Sequence, residues 1–280
     1  MTTLYHHTSA DGLIGIITNK AIWATDIEFL NDYNEYVIGK YEITKSCEKG
    51  RSEKSLPALS TFYSALEKMI IENLDKREHF IASFTKTKDN LRQWMSYGKP
   101  NSSYAIGFRR DALEDIWFHE NKKRSEQLAY QLSDVDYKSK AIAETLNPNK
   151  ILQSIKDSIK RGASQDQIIR DQDQIIRDLA NSLMFNCCAT KDNSFVDENE
   201  VRMICQTRKF DLPYDKTKHR NQGGVITPYI DIPIPHTAIR EIIIGPNINK
   251  DTAKKGVERL IKKFNIDCEI THSSCTLRQF

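Results

Sequence analysis

The chain has 280 residues, 39% hydrophobic and 28% charged, with a formal net charge of +3. That length is ample for a sizeable core, and so mild a charge permits nucleic acid as a partner without arguing for it. No apolar run approaches the roughly 18 residues of a membrane span, the polar start MTTLYHH is unlike a signal peptide, and the six cysteines form no CxxC pair; the expectation is a reduced, cytoplasmic protein without a disulfide framework or zinc ribbon.

In chain order, TLYHHT reads as a strand and SADGLIGIITNK as a helix, with Leu13, Ile16 and Ile17 on one face and Ser9 placed to cap it. AIWATDIEFL is a second strand, ended by the turn-prone pair Asn31-Asp32. YNEYVIGKYEITKSC is helical, KGRSEKS is a polar linker, and Pro57 starts a helix whose Leu59, Phe62, Tyr63, Leu66 and Ile70 keep the 3.6 period. HFIASFTK and SSYAIGFRR are strands, joined by a loop TKDNLRQWMSYGKPN with Gly98, Pro100 and Asn101 as turn residues. QLSDVDYK is a short strand. Residues 148–186 read as a helical insertion holding a tandem heptad, DQIIRDQ then DQIIRDL, at 166–179. Two copies are too few for a solenoid, and a duplicated, exposed helix is favoured over a seam for a neighbour or partner. The final third is β-rich: EVRMICQT, GVITPYIDIPI, IREIIIGP and DCEITHSS, with an amphipathic stripe of Val257, Leu260, Ile261 and Phe264 before the last. Strands at both ends with helices between predict one α+β domain over residues 1–280, its sheet assembled from distant parts of the chain.

Polar groups concentrate beside several of these strands. Strand neighbours face opposite sides, so His6 and Thr8 share one face while Tyr5 and His7 share the other. A histidine on an apolar strand is most often a hydrogen-bonded core residue, and neither has an i, i+4 partner of zinc-ligand type, so no metal site is expected. DENEVRMI puts Glu198 and Glu200 on one strand face, followed by Arg202. Two close carboxylates raise one pKa unless Arg202 or solvent relieves them. Such a pair suits orienting a hydroxyl, acting as a base or stabilising a developing cation; a charged strand edge that blunts aggregation is an equal alternative. Trp94 in LRQWMSYG is a cleft wall or, more commonly, a core anchor. Arg109-Arg110, Lys122-Lys123-Arg124 and KTKHR at 216–220 offer phosphate-gripping charge or plain solvated surface. P-loop, GxGxxG, HExxH and GxSxG patterns are missing.

The ordered set LYHHTSADGLIGIITNKAIWATDIEFLNDYNE, RQWMSYG, SYAIGF, ENEVRMI, PYIDIPI and EIIIGP resembles a bacterial family of unknown function, DUF2971, over nearly the whole chain apart from the heptad helix. The opening YHHT, the short helix ending near NKAIW and the late glutamate are in turn similar to the ADP-ribosyltransferase superfamily, in its histidine–tyrosine–glutamate branch. That resemblance implies a split β-sheet core with helical insertions and NAD as co-substrate. It implies that His6 and Thr8 hold the adenosine-side ribose, and that Glu200 takes the catalytic glutamate's place with Glu198 two residues before it. Tyr97, Tyr104 and Tyr33 compete to stack on nicotinamide, with Trp94 as an aromatic wall. Asn31, Asp32 and Glu35 form a rim for the target, together with Arg202, although Asp32 also suits a helix cap. The acceptor is a macromolecule, nucleic acid slightly ahead of protein, and an antitoxin or regulatory partner fits a toxin or phage-defence effector. The chemistry is coherent: breaking the nicotinamide–ribose bond passes through an oxocarbenium-like state, which a nearby carboxylate stabilises more than the ground state.

Two other readings compete. A metal-dependent nuclease would use Asp32, Glu35, Glu198 and Glu200, but the sequence offers no lysine placed with the acidic pairs. A non-catalytic module would recruit a partner through the heptad helix.

Overall fold

The computed structural model of the protein describes residues 2–30, 35–52, 58–98, 102–123, 128–160, 165–208, 217–246 and 249–276. TLYHHTS forms β1 (Thr3–Ser9), and Ser9 then caps α1 (Ala10–Asn19), its Oγ accepting from the Gly12 N–H at 3.3 Å. Leu13, Ile16 and Ile17 bury the inner face of α1, as their spacing predicts. Lys20, left-handed at φ 52°, closes the helix and leads into β2 (Ala21–Asp26). This strand stops earlier than predicted, because Asp26 caps a 3-10 turn at Ile27–Phe29.

After α2 (Glu35–Arg51), α3 (Ala58–Lys76) and β3 (Arg77–Thr85) comes a helix where a loop was expected, α4 (Leu91–Tyr97). Its start is fixed by Asn90, whose side chain accepts from the Arg92 N–H at 2.9 Å. The chain continues through β4 (Ser103–Arg109), α5 (Arg110–Lys123), β5 (Leu128–Asp134), α6 (Lys140–Thr145), α7 (Pro148–Lys160) and α8 (Gln165–Cys188). It ends with β6 (Glu200–Arg208), β7 (Lys218–Gln222), β8 (Val225–Pro233), β9 (Ile239–Ile244), α9 (Lys250–Lys263) and β10 (Glu269–His272).

The strands build a large, open mixed sheet in the order β10-β9-β4-β1-β3-β2-β8-β7, with β6 also paired to β3 and β5 lying outside β6. Sequence neighbours are often not sheet neighbours, as expected. The β9–β10 pair is parallel and is bridged by the crossover helix α9. Strand β3 is central. One edge pairs with β6 along its whole length, from Arg77–Arg208 to Thr85–Glu200. The other edge is shared: Tyr5 of β1 lies opposite Thr85, while Thr25 and Asp26 of β2 lie opposite Ile81 and Phe80. The sheet therefore divides between β1 and β2, and Ser83 sits at the division.

One apolar core, with Leu4, Ile17, Phe84, Phe108 and Met203, fills the face that also receives Leu113 of α5 and Val257 of α9. A second core belongs to the helices and joins Ile43, Tyr63, Leu66, Ile142 and Leu183. Helix α8 enters it through Ile176, Ala180, Leu183, Met184 and Cys187, a helical period. Ile176 is 8% exposed, so the second heptad copy packs inward rather than standing in solvent. The side chains of Ile168 and Ile169 in the first copy lie outside the described set. All six cysteines are free thiols. Among the described residues, no helix is long and apolar enough to cross a membrane.

Candidate functional site

A cleft of about 630 Å³ opens where the sheet divides, lined from β1, α1, β2, β3, α4, β6 and β7. Its size falls within the ordinary range of small-molecule sites, roughly 300–1,000 Å³. His6, Thr8, Tyr97, Glu198, Glu200 and Arg202 all line it. Histidine and glutamates separated by nearly two hundred residues thus border one hollow.

Strand parity alone would not have placed them together. The pairs Tyr5–Thr85 and Thr85–Glu200 put Tyr5, not His6, in the row of Glu200. But β1 and β3 are paired only at Tyr5–Thr85, and His6 uses the gap beyond it. Its Nδ1 lies 2.9 Å from the Ser83 carbonyl oxygen. A carbonyl accepts only, so Nδ1 carries the proton and Nε2 is left as an acceptor. Burial holds the His6 pKa below the usual value, the Ser83 carbonyl works against that, and Arg220 adds to it. The imidazole is therefore neutral. Thr8 is crowded by α1: a Cβ on Gly12 would lie 2.0 Å from Thr8 Oγ1, so only glycine lets the helix approach this part of the cleft.

The acidic side is a network. Glu198 does not share the strand with Glu200, contrary to the alternation expected of DENEVRMI. It ends a 3-10 turn, Asn193–Glu198, and Asn199 at φ 45° re-aims the chain before β6 begins. The turn is stapled to β3 and α4, since Thr85 Oγ1 donates to the Glu198 carbonyl at 2.7 Å and Asn90 Nδ2 to that of Asp197 at 3.1 Å. Lys191, 4% exposed, joins the two carboxylates: its Nζ is 2.8 Å from Glu198 Oε2 and 3.1 Å from Glu200 Oε2. Arg202 grips Glu200 with Nε at 2.9 Å and Nη2 at 3.1 Å, and spends Nη1 on the Cys188 carbonyl at 2.8 Å. Ser83 of β3 lies opposite Arg202 of β6. Burial alone would raise the Glu200 pKa, but Arg202 and Lys191 outweigh it and bring it to about 2. Glu200 is thus ionised and fully engaged. Glu198 is different: among the described residues its Oε1 has only Arg92 Nε, at 3.9 Å, too far for a hydrogen bond. β6 is also no exposed edge, because β3 and β5 flank it.

Several expected residues are placed elsewhere. Trp94 is 1% exposed, packs its ring 4.3 Å from that of His7 and donates Nε1–H to Asp89 at 2.6 Å; it anchors the core and is no cleft wall. Tyr104 lies in the main apolar core, with its hydroxyl pKa raised by burial, and is likewise not part of the lining. Tyr97 lines the cleft. Arg202 lines it too, but its bonds make it a support for Glu200 rather than a substrate contact. Asn31, Asp32 and Tyr33 lie outside the described residues, as does the side chain of Glu35, whose backbone opens α2. His7 is buried, neither ring nitrogen has a hydrogen-bond partner among the described residues, and burial lowers its pKa to about 3.

Sequence reasoning missed Lys191, Ser83 and Arg92. Lys191 stands among charged residues in a turn-rich stretch with no periodic signal, and a strand serine carries none. In the folded chain Lys191 Nζ and the Arg92 guanidinium lie 4.7 and 5.3 Å from the ring centroid of Phe195. Among the described residues, no group of three His, Cys, Asp or Glu side chains could hold a metal ion.

The class defined by these features is a mixed-sheet protein with a charge-lined cleft at the division of its sheet. The family is narrower: residues 93–203 match the family model described as "Protein of unknown function (DUF2971)", the family the ordered motifs resemble. The matched segment holds Tyr97, Lys191, Glu198, Glu200 and Arg202, while His6 lies outside it. No curated protein and no solved structure matches the chain.

Proposed function

We propose that the chain is an NAD-dependent ADP-ribosyltransferase acting on a macromolecule, with the divided sheet as its ADP-ribosyltransferase-like core. The observation that carries this reading is the meeting of His6, whose ring is held by the Ser83 carbonyl, with Glu198 and Glu200, joined by Lys191, in the lining of one cleft. NAD supplies a nicotinamide leaving group that departs with the bonding electrons of its bond to the ribose. The chain's part is to bind and to place charge. Neutral His6 presents Nε2 to a ribose hydroxyl. Glu198 Oε1, the carboxylate oxygen with spare lone pairs, accepts from a hydroxyl beside the breaking bond and opposes the positive charge that develops there. Glu200, Lys191 and Arg202 hold Glu198 in place. Tyr97, which lines the cleft, stacks on the nicotinamide ring.

The nuclease reading gains a lysine from Lys191, but Arg202 and Lys191 occupy the oxygens of Glu200 that a metal ion would need. Incubation with labelled NAD plus RNA, DNA or lysate protein, with and without EDTA, tests the proposal. EDTA-insensitive transfer of label onto an acceptor is the expected result. EDTA-sensitive cutting of nucleic acid without NAD would replace it with the nuclease.

A further inference from the structure

Strands β7 and β8 form a hairpin whose turn, Gly223–Gly224, has both φ angles positive, at 61° and 89°. The hairpin sends Arg220, Asn221 and Gln222 into the lining of the cleft. Arg220 differs from the other cations there. Lys191 and Arg202 are matched to carboxylates and Arg92 faces Glu198. Arg220 instead donates through Nη2 to two neutral acceptors, Thr25 Oγ1 at 2.8 Å and Gln222 Oε1 at 2.9 Å. Among the described residues it has no carboxylate partner, and neither Nε nor Nη1 has a hydrogen bond.

The guanidinium is also held in place. It lies 5.1 Å from the ring centroid of Trp23 and 5.6 Å from that of Tyr229, and those rings are 4.8 Å apart. Arg220 pairs with Thr227, and Tyr229 with Thr25, so strand register puts this whole platform on one sheet face. Trp23 itself is 38% exposed beside the cleft. A half-buried, pre-positioned guanidinium with free donors and no counter-charge is a site for an anion, and its planar fork suits a phosphate.

We propose that Arg220 binds the diphosphate of a nucleotide ligand in this cleft, with Trp23 as the adjoining aromatic surface. The inference rests on the dinucleotide reading above, but it makes a claim about binding that does not require transfer. A nucleic acid backbone presents the same phosphate chemistry and is the alternative source. The diphosphate is favoured because Arg220 lines the same cleft as His6.

Calorimetric titration of the full chain with ADP, inorganic pyrophosphate, adenosine and a single-stranded oligonucleotide tests this. ADP and pyrophosphate are expected to bind, ADP at least tenfold more weakly to Arg220→Gln, with Arg220→Lys intermediate. Adenosine, which lacks phosphate, should bind both forms alike and so reports an intact cleft. Equal loss of ADP and adenosine would mean a merely structural arginine and overturn the proposal. So would unchanged ADP affinity, absence of ADP binding to the wild type, or loss confined to the oligonucleotide. If ADP binds through Arg220 while NAD yields no transfer, the site stands and the transferase reading falls; the reverse pattern removes Arg220 alone.

Discussion

Replacing Lys191 with methionine probes the charge network directly. Formally, Lys191 and Arg202 balance Glu198 and Glu200, and all four side chains are at most 6% exposed. Removing the ammonium, 2.8 and 3.1 Å from two carboxylates, leaves one buried negative charge uncompensated. Breaking a buried pair in this way costs about 3–5 kcal/mol. The sign with pH follows. An uncompensated carboxyl group has its folded-state pKa raised above the unfolded value, so the folded variant binds a proton more tightly than the unfolded chain. Its deficit is therefore full at pH 8 and shrinks as pH falls through the raised pKa. Urea unfolding of wild type and Lys191→Met at pH 8 and pH 5 reads both effects. Adding Glu198→Gln should recover at least half the loss, a coupling that a double-mutant cycle isolates. A deficit below about 1 kcal/mol, or one independent of pH and of Glu198, would refute the network as described.

Other outcomes follow from the same geometry. His7, with its pKa lowered to about 3, stays neutral when folded while the unfolded chain takes up a proton near pH 6.5; it should cost about 2 kcal/mol of stability from pH 7 to pH 5, and His7→Gln should remove that share of the slope in urea titrations while His6, whose pKa burial also lowers, keeps its own. This window lies above the one belonging to Glu200, whose stabilisation is present above about pH 4.5 and lost as pH falls toward 2. Asp89 accepts from Trp94 Nε1, Ser273 Oγ and both the N–H and hydroxyl of Ser274 at 2.6–2.7 Å. Asp89→Asn should cost about 2–3 kcal/mol and raise hydrogen exchange at residues 273–276; unchanged exchange there would contradict the anchoring role. Trp94→Phe should lower stability through lost packing and the lost hydrogen bond to Asp89 and leave ADP affinity within about twofold; a tenfold loss would return Trp94 to the cleft.

Much of the scaffold was legible because its signals are local. Ser9 before an apolar 3.6 period gave α1, and the β-rich runs of the last third became β6, β8, β9 and β10. The misses have physical causes. Gly98 and Pro100 drew attention to a turn and hid the seven-residue α4, which Asn90 caps. Glu198 was placed on a strand because alternation cannot anticipate the left-handed Asn199. The pairing of His6 with a distant glutamate came from the family resemblance, since strand parity says only that His6 and Thr8 share a face. His6 reaches the cleft because β1 leaves β3 after a single pair, a topological fact that no local pattern encodes. Lys191 was invisible for a similar reason: its role depends on the 3-10 turn folding Glu198 back beside Glu200.

Transfer by this chain depends on one bond and one carboxylate. Release of free nicotinamide from NAD by the purified chain, with RNA, DNA or lysate protein as acceptor, tests it most directly. The wild type should release nicotinamide, with a fall of about 100-fold or more in Glu198→Gln and a similar fall in His6→Ala, thermal unfolding confirming that both variants are folded. A wild type that leaves NAD intact with every acceptor, or a Glu198→Gln chain that keeps the full rate, would contradict it.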